Sequence, residues 1–227
     1  LQRTCPLCMS SRSTPLNRIP TLSPASPESK SFLNISTPVQ TDFFVSLHYL
    51  PDMIKDHFGD GSKWGVSIKY IYEHKPLGTG GALSLLPDDT SDLPLIVING
   101  DILTNVDFQG LLDFHDESKC VATLCVREYV HQVPFGVVST DGIKVLNMIE
   151  KPTQRFFVNA GIYVLNHETR MKVAKSNYLD MPTLLEQEIS AGFNVNIYPI
   201  HEYWLDIGTH NDFAQAQKDI INLESCK

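Results

Sequence analysis

Two acidic residues occupy matching settings, each following a short apolar run and preceding a change of direction. Asp101 closes Leu93-Pro94-Leu95-Ile96-Val97-Ile98-Asn99-Gly100-Asp101, and Asp206 closes Tyr203-Trp204-Leu205-Asp206 ahead of Ile207-Gly208. Carboxylates at the carboxyl ends of strands stand where α/β sheets bind ligands. Two of them could share one Mg²⁺, a hard ion that takes oxygen ligands and bridges phosphates. Each could instead cap the helix that follows, with Thr209 a competing cap beside Asp206. Both alternatives are open on these residues alone.

Three further groups could bind or react. Pro76-Leu77-Gly78-Thr79-Gly80-Gly81-Ala82 places three glycines at a strand-to-helix junction. Small residues there would let a base or phosphate reach backbone N–H groups, although a tight turn without a ligand reads equally well. The segment is neither a Walker A loop nor a GxGxxG fingerprint. In Glu150-Lys151-Pro152, Lys151 could meet a phosphate and Glu150 could accept from a hydroxyl, or the two could form a surface ion pair. In Phe157-Val158-Asn159-Ala160-Gly161-Ile162-Tyr163, an amide interrupts an apolar strand, and it needs partners from the protein or from a sugar.

The elements that must position these groups follow from periodicity. Leu95–Ile98 is an unbroken run of aliphatics between Pro94 and Gly100, the mark of a strand buried on both faces and of a parallel sheet covered by helices. Strands are expected over 43–47, 66–72, 120–127, 156–165 and 195–199, and a hairpin over 135–138 and 145–150 around Asp141-Gly142. Helices are expected over 51–58, opened by Pro51 and closed by Gly59, and over 78–86, 108–115, 181–191 and 211–223. Alternating strands and helices imply an α/β fold: a Rossmann-like three-layer sandwich with a mostly parallel mixed sheet and a small antiparallel insertion.

Composition narrows the partners. A chain of 227 residues, 42% hydrophobic, can bury a full α/β core. A net charge of −8 without a basic cluster argues against nucleic acid. No apolar run approaches the ~18 residues of a membrane span. The five Cys (5, 8, 120, 125 and 226) form no framework, which suits free thiols in a reducing cytoplasm, and Cys5-Pro6-Leu7-Cys8 lacks the second half of a zinc site.

Residues 1–41 differ from the rest. Up to position 40 they hold six Pro, eight Ser and one acid, Glu28, and no Gly occurs before Gly59. The expectation is an irregular or non-native leader, followed by one domain over 42–227.

Taken together, these segments resemble the sugar-1-phosphate nucleotidyltransferase family, the nucleoside-diphosphate-sugar pyrophosphorylases. The resemblance runs from about Asp42 to Ala216 and keeps family order through Leu77–Ala82, Asn99–Asp101, Gly136, Glu150–Pro152, Asn159–Tyr163 and Trp204–Gly208. It is nearest the branch with Leu-Gly-Thr-Ala-Gly-Ala, which includes hexose-1-phosphate guanylyltransferases and nucleotidyltransferases fused to CBS domains. Gly80 replaces the Ala here. The resemblance implies transfer from an NTP, GTP foremost, to a hexose 1-phosphate, giving NDP-sugar and pyrophosphate, as in the supply of nucleotide sugars for cell-surface polysaccharides. It further implies Asp101 and Asp206 on Mg²⁺, Lys151 on the sugar phosphate, and Glu150 and Asn159 on sugar hydroxyls. Gly136 would leave room for the sugar ring. Gly78, Thr79 and Gly81 would lie at the base, and Asn99, Gly100 and Gly161 would line the substrate site. Homo-oligomerisation is left open.

One departure stands against this. The family opens with GGxGTRLxPxTxxxPK directly after its first strand, and residues 1–41 contain no counterpart despite Arg3, Arg12, Arg18 and Lys30. Truncation, a divergent start or a shifted reading frame would each account for it. The expectation is a chain inactive or nearly so, with a sugar-nucleotide-binding or regulatory module as the rival function. A glycosyltransferase of related topology would want an Asp-x-Asp motif, whereas Ile102-Leu103 follow Asp101.

Overall fold

The computed structural model describes residues 6–10, 42–88, 90 and 92–225. The strands are β1 (Pro6–Ser10), β2 (Asp42–Leu47), β3 (Ser67–Tyr72), β4 (Leu95–Asn99), β5 (Ile102–Thr104), β6 (Ala122–Gln132), β7 (Val137–Asp141), β8 (Lys144–Ile149), β9 (Thr153–Leu165), β10 (Val195–Pro199) and β11 (Trp204–Asp206). The helices are α1 (Pro51–Phe58), α2 (Gly78–Gly81), α3 (Phe108–Ser118), α4 (His167–Met171), α5 (Met181–Ser190) and α6 (His210–Ser225). The helix expected over 78–86 is α2 continued by a 3₁₀ turn, Ala82–Leu85.

The main sheet runs β10-β6-β9-β4-β1-β2-β3. The β10–β6 and β2–β3 ladders are parallel, and β1 and β9 run against their neighbours on both sides. Within the segment read as an irregular leader, Pro6–Ser10 is therefore a strand, with Pro6 opposite Asn99 and Ser10 opposite Leu95. Backbone pairing with two neighbours orders it where its Pro- and Ser-rich surroundings gave no periodicity. The rest of residues 1–41 lies outside the described residues.

Burial follows the pattern of β4. Leu95 and Val97 face one cluster with Leu83, Leu86, Met181, Leu184 and Leu185. Ile96 and Ile98 face a second, with Phe108 and Leu111 of α3. The period of two puts alternate residues on opposite faces, so the 3₁₀ turn after α2 and helix α5 cover one side and α3 the other. The aliphatic run is buried on both faces as expected, yet both strands beside β4 are antiparallel to it. Burial by helices on both faces, rather than strand direction, produces such a run. The expected hairpin is a separate two-stranded sheet, β7–β8, with Val137 opposite Ile149.

Candidate functional site

Asp101 and Asp206, 105 positions apart in the sequence, meet at one end of the sheet. β11 pairs antiparallel with β5, placing Asp206 opposite Ile102, and the Ile207 N–H donates to the Asp101 carbonyl at 2.9 Å. Neither residue caps a helix. Asp107 caps α3, accepting from the N–H groups of Gln109 (3.1 Å) and Gly110 (3.2 Å). At the start of α6, Thr209 and Asp212 cap reciprocally: the Thr209 N–H and hydroxyl donate to Asp212 Oδ2 (2.9 and 2.7 Å), and the Asp212 N–H donates to Thr209 Oγ1 (3.3 Å). The Asp206 carboxylate is exposed and has no hydrogen-bond partner among the described residues. A carboxylate in the turn before β5 and another at the end of β11 are the donor type of a hard divalent ion that takes its remaining ligands from water and phosphate. No group of three or more His, Cys, Asp or Glu side chains that could enclose a metal occurs among the described residues.

Next to the carboxylates, Asn99 and Gly161 touch across the β4–β9 ladder. Gly161 has φ +70°, and a Cβ there would lie 2.8 Å from Asn99 Nδ2 and 3.2 Å from Ile102 Cγ1. Only glycine combines that backbone with that approach. Asn99 Oδ1 is buried without a hydrogen-bond partner, a cost a ligand donor would relieve. Asn159 sits where the β6–β9 register shifts. Its Nδ2 donates to the Tyr163 hydroxyl (2.7 Å), and its Oδ1 accepts from the Gly161 N–H (2.8 Å). This amide is therefore bound by its own strand, with one N–H and one lone pair to spare. Trp204 Nε1 donates to the Ala160 carbonyl (2.8 Å), tying β11 to the same irregularity.

Tyr163 and Trp204 thus hold the Asn159 amide and the Ala160 backbone of the candidate site, contacts the sequence reading did not assign. The detectable signal was a polar-tipped aromatic inside each motif, since a buried phenol or indole seeks a partner.

The amide donors of the glycine-rich segment face the chain itself. Gly80 and Gly81 N–H groups donate to the Leu179 carbonyl (2.8 and 2.9 Å), and the Thr79 N–H donates to Asp180 Oδ1 (3.2 Å). Thr79 Oγ1 in turn accepts from the Met181 N–H at 2.9 Å. Added Cβ atoms at Gly78 and Gly81 would each come within 2.6 Å of a backbone carbonyl, of Leu179 and Asn177 respectively. The N–H groups of Thr79, Gly80 and Gly81 are thus taken up by the chain itself, and the glycines are small so that the approach to α5 can dock. Glu73, also unassigned from sequence, accepts from the Leu77 N–H (2.9 Å) and from Ser46 Oγ (2.5 Å), anchoring the same turn.

Gly136, Glu150 and Lys151 gather at the base of the β7–β8 hairpin. A Cβ on Gly136 would stand 2.9 Å from Glu150 Oε2. Lys151 has φ +46°, a left-handed conformation unusual outside glycine, held by its N–H donating to the Phe135 carbonyl (3.3 Å). The side chains of Glu150 and Lys151 are exposed, and the two form no ion pair with each other. The structure therefore brings together Asn99, Gly100, Asp101, Asn159, Gly161 and Asp206. It sets Gly136, Glu150 and Lys151 on the hairpin and packs Gly78–Gly81 against the chain before α5.

The chain is similar to known proteins in sequence and in fold. The chain is 31% identical over 180 residues to the mannose-1-phosphate guanylyltransferase of Mycobacterium tuberculosis, covering 76% of this chain and 50% of that protein. It is 29% identical over 187 residues to the mannose-1-phosphate guanyltransferase of Yarrowia lipolytica, covering 77% and 50%. It thus spans about half the length of the curated relatives it matches. Among solved structures, HddC from Yersinia pseudotuberculosis complexed with GMP-PN has the same fold, with TM-score 0.57 and 23% identity, over 78% of this chain and 77% of that one. The family model described as nucleotidyl transferase matches residues 32–222, and the chain belongs to that family.

Proposed function

We propose that this domain transfers a nucleotidyl group from an NTP, GTP foremost, to a hexose 1-phosphate, releasing pyrophosphate and forming the NDP-sugar. The observation that supports it best is the Asp101–Asp206 pair, brought together where the turn before β5 meets the end of β11, with the helices that follow capped by Asp107 and Thr209 instead. In the reaction a phosphate oxygen of the sugar 1-phosphate attacks the α-phosphorus, and the α–β bridging bond breaks. Little covalent work falls to the protein, so positioning and charge neutralisation dominate. Asp101 and Asp206 would hold Mg²⁺, which when bound offsets charge on the phosphates. Lys151 supplies the cation for the sugar phosphate. Glu150 and the unused half of the Asn159 amide take sugar hydroxyls. Gly136 keeps the space beside Glu150 open, while Asn99, Gly100 and Gly161 form the floor. Leu77–Gly81 shapes a wall through its docking on α5. The setting that goes with this chemistry is cytoplasmic supply of nucleotide sugars.

A second reading is a sugar-nucleotide-binding module without turnover. Pyrophosphate release with Mg²⁺, a panel of NTPs and hexose 1-phosphates separates the two. Turnover supports the transferase. No turnover with retained NDP-sugar binding by calorimetry supports the module, and neither signal refutes both.

A further inference from the structure

Asp206 stands at the end of a strand outside the main sheet. β10 leaves that sheet at Pro199, and β11 is three residues long and pairs with β5, also three residues. A sheet this small is marginal by itself, so contacts with the main sheet decide where its carboxylate lies. Trp204 makes one, through its indole bond to the Ala160 carbonyl. Arg127 of β6 makes another. Its Nη1 donates to the carbonyls of Ile200 (3.1 Å) and Glu202 (2.9 Å), clamping the crossing segment on both sides of His201. The Ile200 N–H donates in turn to the Val126 carbonyl at 2.9 Å, so the clamp starts from the neighbouring position on the same strand. The guanidinium is half-buried, yet no carboxylate of the described residues lies within ion-pair distance of it. The Glu202 carboxylate accepts from the His201 N–H at 2.9 Å instead. A cation drawn out of water costs stability unless its donors are met, and here carbonyls meet them with charge-assisted bonds.

Given the metal role proposed for Asp101 and Asp206, we infer that Arg127 is a positioning residue for that pair. By holding the backbone at 200 and 202 it fixes where β11 presents the Asp206 carboxylate, and with it the affinity of the pair for a divalent cation. It acts through the backbone and not by touching the ion. Just past Asp206, the Ile207 N–H donates to the Asp101 carbonyl at 2.9 Å, so a β11 free to drift would part the two carboxylates as well as misdirect one. The Thr104 hydroxyl and Asn105 N–H also bond the crossing segment, at the Tyr203 carbonyl (2.8 and 3.1 Å). Both lie at the end of β5 and move with the small sheet, so they cannot replace the anchor on β6. Residues that orient a metal ligand from behind commonly change metal affinity about 10- to 100-fold when removed.

Titration of the full chain with Mn²⁺, which takes the same oxygen ligands as Mg²⁺ and is followed by water-proton relaxation, reads the pair without turnover. Asp206→Asn abolishes the binding and so identifies the site being titrated. Arg127→Met weakens it about tenfold. Arg127→Gln, neutral and too short to span both carbonyls, keeps amide donors that ease folding and moves the affinity in the same direction. Arg127→Lys, whose ammonium offers three donors, recovers most of it. Arg170→Met is the control for losing a buried arginine. Arg170 is 5% exposed and donates to the Pro87 carbonyl at 3.4 Å, so its loss lowers thermal stability and leaves Mn²⁺ affinity unchanged. If Asp206→Asn loses Mn²⁺ while Arg127→Met or Arg127→Gln binds like the wild type, the positioning role is overturned and the metal reading stands. An equal loss in Arg170→Met overturns it too, since general destabilisation would then explain both. A wild type that binds no Mn²⁺, or an Asp206→Asn variant that binds it unchanged, overturns the metal reading and the positioning role together.

Discussion

Replacing Gly161 by Ala isolates the close approach at the centre of the site. The residue has φ +70°, and the left-handed backbone costs an L-residue about 1–2 kcal/mol. The new methyl would also stand 2.8 Å from Asn99 Nδ2, 3.1 Å from Asn99 Cγ and 3.2 Å from Ile102 Cγ1, all below ordinary contact. Asn99 Nδ2 is a side-chain end, but the amide oxygen beside it is buried, and Ile102 starts the strand that pairs with β11, so neither neighbour has open space to move into. Overpacking of this kind adds about 1–3 kcal/mol. Gly142→Ala is the matched control, with φ +55° and nothing within 4 Å of the new Cβ. Both variants stiffen the unfolded chain by about 0.4–1 kcal/mol, so that term cancels in the comparison. Urea unfolding followed by circular dichroism should place Gly161→Ala at least ~1 kcal/mol below Gly142→Ala. Calorimetry should show weakened nucleotide-sugar binding for Gly161→Ala alone. Equal stability in the two variants would refute the close-approach argument, because backbone strain alone would then account for both.

Asp206→Asn should lower pyrophosphate release about 10²-fold or more, whereas Thr209→Ala should cost ~1 kcal/mol of stability with turnover unchanged. Equal activity losses in the two would return Asp206 to a structural role. Lys172→Met leaves the buried Glu188 carboxylate without its cation, which now lies 2.7 and 2.9 Å from its two oxygens. Because the Lys172 side chain is 43% exposed, water offsets part of the loss, and thermal unfolding should report ~1–3 kcal/mol. His115 is buried between Thr123 and Asn166, and burial lowers its pKa. The unfolded chain therefore binds the proton more readily, so this stabilisation is complete above the ordinary histidine pKa and fades as pH falls through the lower folded value. His115→Gln should flatten that acid limb in pH-dependent melts. The Cys125 thiol, fully buried and pushed up to about 12, should resist iodoacetamide until the protein unfolds, as read by peptide mass spectrometry.

Local chemistry was legible where neighbours in sequence supply the cause. Pro51 and Gly59 bound α1 at both ends, and β10 spans Val195–Pro199 as its apolar run indicates. The hairpin around Asp141-Gly142 was legible from its turn. β5 was not, since three residues carry no period, and it exists because β11 lies beside it. The direction of Asn159 was equally hidden, because it depends on the register shift between Leu124 and Val126 on the neighbouring strand. The acceptor of the Gly80 and Gly81 amides was hidden for the same reason. It is the Leu179 carbonyl, about a hundred residues away.

The sequence alone determined that the Leu95–Ile98 run is buried, where α1 starts and stops, and which residue types are on hand for phosphate and sugar chemistry. Hydrophobic period, Pro and Gly act over a few residues, and a linear string records them. Only the tertiary structure decided that Asp101 and Asp206 lie side by side, that other residues cap the helices after them, and that the glycines at 78–81 serve the chain's own packing. Each of those outcomes is a hydrogen bond or a close approach between segments far apart in sequence. Such partners are chosen by the whole set of competing burials, which no local pattern encodes.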